Sequence, residues 1–297
     1  MKIATLIALV FCALPAAASA ASAATIDTLT VVTLNLWHDQ RDWPKRLNRI
    51  VGELRRRRPD VICLQEVLQN EKLRNQAETL ADSLGYHVRF GSVDAPTSPK
   101  RYGNAVLTPH PIVADGVRNL EPVDDYRVVV HARIDWRGRR VDAYSTHLHH
   151  TLEGGEIRTK QITHLLAYID STRGKGPLVL AGDFNAEPAT PEMQPLGKRY
   201  VNAFQALHPK ATREEAATYN RRFGVDPGAI DHIFVGRELV PIASEILFRT
   251  VGPDSVWASD HFGVMAKMAG LRQHVPRLID PPPAKPTQGT SGRSGTH

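Results

Sequence analysis

The stretch Leu178-Val179-Leu180-Ala181-Gly182-Asp183-Phe184-Asn185 passes from an unbroken apolar run to a carboxylate and an amide. Residues 178–181 are apolar at both strand parities, so a strand here is covered on both faces and belongs to an internal sheet layer. Thr30 to Leu36 and Val61 to Leu64 read the same way. Each run meets a polar motif: Asn35 in Leu34-Asn35-Leu36-Trp37, Gln65-Glu66 after Leu64, and Asp183 with Asn185. Thr146-His147-Leu148 ends a further apolar segment, whereas Ile230-Asp231-His232 and Ser259-Asp260-His261 open theirs. A strand followed by Asp, Asn or Gly is also what an ordinary turn looks like, so the argument rests on the joint presence and order of these motifs.

Helical spacing of the i, i+3, i+4, i+7 kind marks Leu47, Ile50, Val51 and Leu54, then Ile162, Leu165, Leu166 and Ile169. A third helix is expected around Leu73 to Leu84. One apolar stripe per helix suits packing on the outside of a sheet. Further strands are expected at 104–107, 127–134, 141–146, 230–235 and 262–268, with a hairpin turned by Gly138 in Trp136-Arg137-Gly138-Arg139. Strands outnumber helices and hairpins alternate with helical crossovers. That favours a mixed or mainly antiparallel layered α/β domain over a doubly wound parallel sheet. Asn35, Glu66, His147 and Asp183 fall at the C-terminal ends of their strands, Asp231 and Asp260-His261 at the N-terminal ends. One shared site then requires the last two strands to run opposite to the other four.

Lys2, the apolar run Ile3 to Leu14 and the small residues after it read as a secretory leader, cut after Ala20 or Ala23. The run is shorter than the roughly 20 residues that span a bilayer. The expected division is a leader at 1–23, one catalytic domain at 24–272, and a disordered Pro-, Gly- and Ser-rich tail at 273–297. A periplasmic or secreted monomer without a membrane span follows as an expectation. Cleavage would remove Cys12 and leave Cys63 alone in Val61-Ile62-Cys63-Leu64, read as a buried small hydrophobe with no disulfide partner. The formal charge of +6, or +5 without Lys2, is compatible with an anionic substrate and identifies none. Part of it lies in Arg55 to Arg58, where cations favour a helix C-terminus.

A phosphodiester is anionic and hydrolyses slowly; a catalyst must offset charge, activate water and hold the phosphoryl oxygens. A hard cation such as Mg2+ prefers oxygen ligands. Glu66 is the best ligand candidate, because an ionised carboxylate directly after a buried run is costly unless it is paired or metal-bound; Asn35 and Asp260 could complete the set. His261 paired with Asp231 would have its tautomer fixed and its imidazolium form favoured. Asp183 and Asn185 share strand parity. If strand geometry persists through Phe184, the carboxylate can orient or deprotonate water while the amide holds water or a phosphoryl oxygen. His147 is then a donor to the phosphate.

This set of motifs resembles the endonuclease/exonuclease/phosphatase superfamily, across about Thr30 to Met268. The resemblance implies a four-layer deoxyribonuclease I-like sandwich: two packed sheets, mixed or mainly antiparallel, with helices on the outer faces. It also implies a hydrolase of phosphoester bonds dependent on Mg2+, with Mn2+ or Ca2+ as alternatives. It places Asn35 and Glu66 on the metal side, His147 at the phosphate, Asp183 and Asn185 as an Asp-x-Asn pair, Asp231 as the acid partnering a histidine, and Asp260-His261 as the terminal Asp-His. Arg158 and Gln161 resemble a recurrent Arg-x-x-Gln pattern with a structural hydrogen-bonding role. Trp37 stands where some abasic-site nucleases of the family carry an acid, which argues against a base-excision role.

The superfamily serves several leaving groups, so the substrate stays open between DNA or RNA, which Lys100-Arg101 could meet, and a phospholipid headgroup or small phosphoester. A catalytically silent binding module is the reading from another class; the presence of Glu66, Asp183, Asp231 and His261 disfavours it. His149 shares parity with His147, which leaves it and His150 between the substrate cleft, a second metal and a solvated loop.

Overall fold

Val31, Cys63, Val179 and Ala181 turn to one buried cluster, while their sequence neighbours Val32, Ile62, Leu178 and Leu180 turn the other way into two further clusters. This double coverage makes each central strand the middle of a three-layer stack, and two such stacks sharing an inner cluster make four layers. The computed structural model describes residues 27–224, 228–252 and 254–270. The expected leader at 1–23 and tail at 273–297 lie outside them. The chain runs β1 (Thr28–Asn35), α1 (Trp43–Arg57), β2 (Val61–Gln69), α2 (Gln76–Leu84), β3 (His87–Ser92), β4 (Arg101–Thr108), β5 (Ile112–Asn119), β6 (Val128–Trp136), β7 (Arg139–His147), α3 (Gly155–Thr172) and β8 (Leu178–Asp183). It continues with α4 (Gln194–Arg199), β9 (Val201–Asn202), α5 (Ala203–Leu207), α6 (Arg213–Ala216), β10 (Asp231–Val235), β11 (Leu239–Leu247) and β12 (Gly263–Gly270).

One sheet has the order β11-β12-β1-β2-β4-β3, the other β5-β6-β7-β8-β10-β9. Each contains one parallel pair, β1 with β2 and β7 with β8, made by a helical crossover. All other pairings are antiparallel. β12 runs against β1, and β10 runs against β8 with Asp231 directly opposite Asp183, as a shared site requires. Ile50 and Leu54 of α1 and Leu80 of α2 cover the first sheet's outer face; Ile162, Leu165 and Ile169 of α3 cover the second's. Among the described residues no helix is long and apolar enough to cross a membrane.

Three sequence expectations need correction. β2 does not end at Leu64: it continues to Gln69 through a register shift between Leu64 and Val67, so Glu66 sits in mid-strand, in a left-handed backbone conformation (φ 53°). The helix expected from Leu73 begins at Gln76, because the Asn75 side chain accepts from Ala77 N and Glu78 N and caps it there. The strand geometry does not persist through Phe184, since β8 stops at Asp183 and Asn185 is left-handed (φ 49°). The Trp136–Arg139 hairpin forms with positive φ at both Arg137 and Gly138, the turn that matches strand twist. Cys63 is fully buried and free. Arg57 pairs with Glu53 and Glu245, and Arg55 donates to the Ser83 carbonyl, so the arginine run serves the end of α1.

Gly182 lies opposite Thr146 where β7 and β8 pair, one step before His147 and Asp183, and a Cβ there would come within 2.0 Å of the Thr146 carbonyl oxygen. Gly182→Ala is therefore expected to destabilise the fold by about 3 kcal/mol, read from urea unfolding; wild-type stability would show that the two strands part without strain.

Candidate active site

Asp183 ends β8 with its side chain almost fully buried, and three side chains from other strands reach its Oδ2. Asn35 Nδ2, at the end of β1 in the opposite sheet, donates to it at 3.0 Å. His147 Nε2, its parallel neighbour at the end of β7, lies 3.4 Å away, and His261 Nε2, just before β12, lies at 3.8 Å. Burial, then the Asp231 charge across the ladder, raise the Asp183 carboxyl to about 7.

Asp231 Oδ2 lies 2.8 Å from His261 Nδ1. Burial opposes a charged ring at His261, but Asp231 and Asp183 outweigh it and hold the imidazole well above its ordinary value. His147 goes the other way: burial first, then the Arg127 charge, push it well below the ordinary range, so it is neutral. The two histidines therefore differ in charge, as their surroundings dictate. His147 Nδ1, Asp231 Oδ1 and Asn220 Nδ2 are buried without a hydrogen-bond partner among the described residues, which leaves polar atoms for a ligand to satisfy.

Glu66 is brought to the same cleft by its bulge: Asn35 Nδ2 also donates to Glu66 Oε1, at 3.2 Å. Asp260 joins it, its carboxyl raised by burial and, against the pull of His261, by the Glu66 charge. Ser259 Oγ ties this loop to β1 by donating to the Asn35 carbonyl at 2.7 Å. Two half-buried hard carboxylates close enough for one to raise the other are a donor set suited to a divalent cation, so the residues present fit one. The Asn35 amide bridges the Glu66 and Asp183 sides, while its Oδ1 accepts from Trp37 N at 2.9 Å. A second grouping, Asp183, Asp231 and His261, also lies within ligand spacing, but its positive charge is already supplied by the imidazolium.

Asn185 stays beside Asp183 without the expected strand geometry. Its backbone N–H donates to Asp183 Oδ1 at 3.0 Å and its side-chain amide to the Leu148 carbonyl at 3.0 Å, which anchors the chain just past His147. His149 does not line the cleft. Its ring nitrogens meet Asp125 at 2.7 Å and Thr151 at 2.9 Å, within a network completed by Gln161 and Arg158 in the structural role expected of that pair. His150 is exposed. Arg101 lies over the Phe90 ring at 4.9 Å rather than standing free.

Sequence reading missed four contributors. Arg46, fully buried on α1, donates to the carbonyls of Leu36, Trp37, His38 and Ala258, fixing the loops that carry Asn35 and Asp260; burial draws it down to about 10. The Tyr102 phenol is raised by burial and by facing Glu66. The Tyr219 ring stands edge-on to His261 at 5.1 Å. Arg127 flanks His147. The position of Arg46 on the apolar side of its helix, among Leu47, Ile50 and Leu54, was the one signal available for it.

This arrangement accords with comparison to known proteins. The chain belongs to the Endonuclease/Exonuclease/phosphatase family, matching it over residues 32–261. The description of that family names endonucleases, exonucleases and phosphatases. It is similar to nocturnin of Drosophila melanogaster, 28% identical with 75% of this chain and 41% of that protein covered. It is also similar to protein angel homolog 2 of Danio rerio, 30% identical over 50% of this chain and 29% of that protein. The chain thus spans well under half the length of these relatives. Its fold resembles that of D. rerio TDP2 complexed with single strand DNA product, with a TM-score of 0.68 and 16% identity, covering 81% of this chain and 98% of that one.

To accept a proton from water Asp183 would have to be ionised, and to stabilise phosphoryl charge His261 would have to keep its own. Hydrolysis of bis(p-nitrophenyl) phosphate should therefore rise through a limb near pH 7 and fall again above the elevated value of His261. Asp183→Asn should lower kcat by about a thousandfold. A profile flat between pH 5 and 9 would remove Asp183 from proton transfer.

Proposed function

We propose that the protein is an exported, divalent-metal-dependent phosphodiesterase that cleaves nucleic-acid strands. The observation that carries the hydrolytic reading is the convergence of Asn35, His147 and His261 on Asp183 Oδ2, with Asp231 2.8 Å behind His261. In this reading Asp183 accepts a proton from the attacking water, and the His261 imidazolium, held by Asp231, stabilises charge that develops on the phosphoryl oxygens. His147 offers its unpartnered ring nitrogen to the substrate, and Asn185 fixes the end of that strand. Glu66 and Asp260, positioned by Asn35 and Ser259, would hold the cation, with Mg2+ favoured by the all-oxygen donor set. A bound cation would neutralise phosphate charge and polarise the P–O bond. The nucleic-acid reading draws support from a solved structural neighbour, D. rerio TDP2, whose complex contains single-strand DNA product. Export rests on the leader-like residues at the N-terminus.

One observation favours a second reading. Tyr126 and Leu152 are 64% and 88% exposed on the two loops that the Asp125–His149 bond stitches together beside His147. Apolar tips next to a catalytic cleft suit contact with a lipid surface, so a phospholipid headgroup is the competing substrate.

Side-by-side incubation of the purified protein with plasmid DNA, RNA and sphingomyelin vesicles distinguishes the two; preference for the vesicles would overturn the nucleic-acid reading. Chelator is expected to abolish turnover, and Glu66→Gln to raise the Mg2+ needed for half-maximal rate by about tenfold or more. Turnover indifferent to chelator would remove the metal.

A further inference from the structure

Arg127 lies immediately before β6, two residues after Asp125, and its side chain is nine-tenths buried at the edge of the cleft. Its donors are nearly unused. Nε is buried without a hydrogen-bond partner, the ion pair with Asp125 Oδ2 is loose at 3.7 Å, and one NH2 approaches His150 Nδ1 at 3.4 Å. Asp125 is held instead by His149 and Gln161, which meet its two oxygens at 2.7 and 2.6 Å. The carboxylate therefore fixes the guanidinium in place without consuming its donor fork. A buried, positioned guanidinium with open N–H groups is a binding site for an oxyanion. Its charge is felt at His147 more strongly than that of any other side chain, and it is felt at Tyr102, which places it along the cleft.

Resting on the nucleic-acid reading above, we propose that Arg127, with His150 beside it, forms a second phosphate subsite that binds the phosphate adjoining the one being cleaved. In the reading above, the scissile phosphate is already served by His147 and His261. Arg127 lies beyond His147 and next to the exposed His150, where the next charge along a strand would pass. Substrates with successive phosphates are then held by one contact that an isolated diester cannot make. Arg127 acts in binding, so its loss falls on KM rather than kcat.

The test is steady-state cleavage of a short single-stranded oligonucleotide with one susceptible linkage, compared with the same strand in which a neighbouring linkage, on either side in turn, is an uncharged methylphosphonate. Arg127→Ala is expected to raise KM by about tenfold, and to reduce the slope of log KM against log salt by about one unit. On one side of the cut, neutralising the neighbour should cost the wild-type protein a similar factor and cost Arg127→Ala nothing further. Arg127→Lys, which keeps the charge, should restore the salt slope and only part of the affinity. Independent, multiplying losses on both sides, or a fall in kcat with KM and salt slope unchanged, would overturn the subsite while leaving the nuclease reading standing. Failure of the wild-type protein to cut any oligonucleotide while it hydrolyses bis(p-nitrophenyl) phosphate would instead overturn the nucleic-acid reading and the subsite with it.

Discussion

The hydrogen bond from Asn35 Nδ2 to Asp183 Oδ2, 3.0 Å long and buried, joins the two sheets at the point where their chemistry meets. Neither sheet holds the site alone. Glu66, Asn35, Asp260 and His261 come from the first sheet and its loops, His147, Asp183 and Asp231 from the second. Below this contact the interface stays polar for one more layer before it becomes apolar. Thr33 donates to Gln65, Gln65 donates to Ser145 across the sheets at 3.1 Å, and Asn104 donates to the Val128 carbonyl at 2.9 Å. Buried amides are tolerated there because each finds a partner, and because a satisfied polar layer admits few alternative registers between the sheets. The precision of the site is thus inherited from cross-sheet bonds, while the valine-rich cluster beneath supplies the burial.

The elements that were legible in the sequence are those buried on both faces. β1, β2 and β8 announce themselves because two apolar environments demand apolar residues at both parities, and α1 and α3 because a single stripe meets a sheet. β3, β5 and β11 were not read, and each lies at or near an edge where one face meets water. β5 is Ile112-Val113-Ala114-Asp115-Gly116-Val117-Arg118-Asn119 with most residues exposed, and β11 carries Pro241 at a register shift, as edge strands allow. The residues that converge on the candidate site were legible as polar motifs at strand ends, and the direction of their strands followed from that placement alone. Glu66 and Asn185 show the limit of such reading. Both have positive φ, a property of a bulge and a turn that local hydrophobic pattern does not encode, so the residues were found and their backbone geometry was not.

Four carboxylates, an imidazolium and a neutral imidazole in one cleft divide into two regions with Asn35 between them. On the proton-handling side, Asp231 is close to His261 and Asp183 is close to both histidines, so a positive ring is shared by two acids, and one of those acids titrates near neutrality. On the other side no cation among the described residues is hydrogen-bonded to Glu66 or Asp260: His261 pulls on Asp260, and the Arg46 guanidinium acts on both at a distance with its terminal nitrogens turned to backbone carbonyls. The side with an internal cation suits proton transfer, and the side without one suits an external cation. Asn35 donates one hydrogen bond to each, which fixes their separation without adding charge to either.

Arginine bookkeeping separates scaffold from binding surface in this molecule. Arg46 is fully buried with its terminal nitrogens turned to four carbonyls, and Arg158 shares its guanidinium among Glu192 and the carbonyls of His149, Thr151 and Leu152. Desolvating such a group is offset by bonds that exist in the folded chain, so its place is explained by the fold. Arg127 is desolvated to a similar degree without equivalent return: one loose ion pair and one long contact to a histidine. Stability alone gives no reason to bury a guanidinium in that state. An anion entering the cleft would remove the deficit, and in the proposed subsite the open donors of Arg127 are what would distinguish a polyanionic strand from a single charged group.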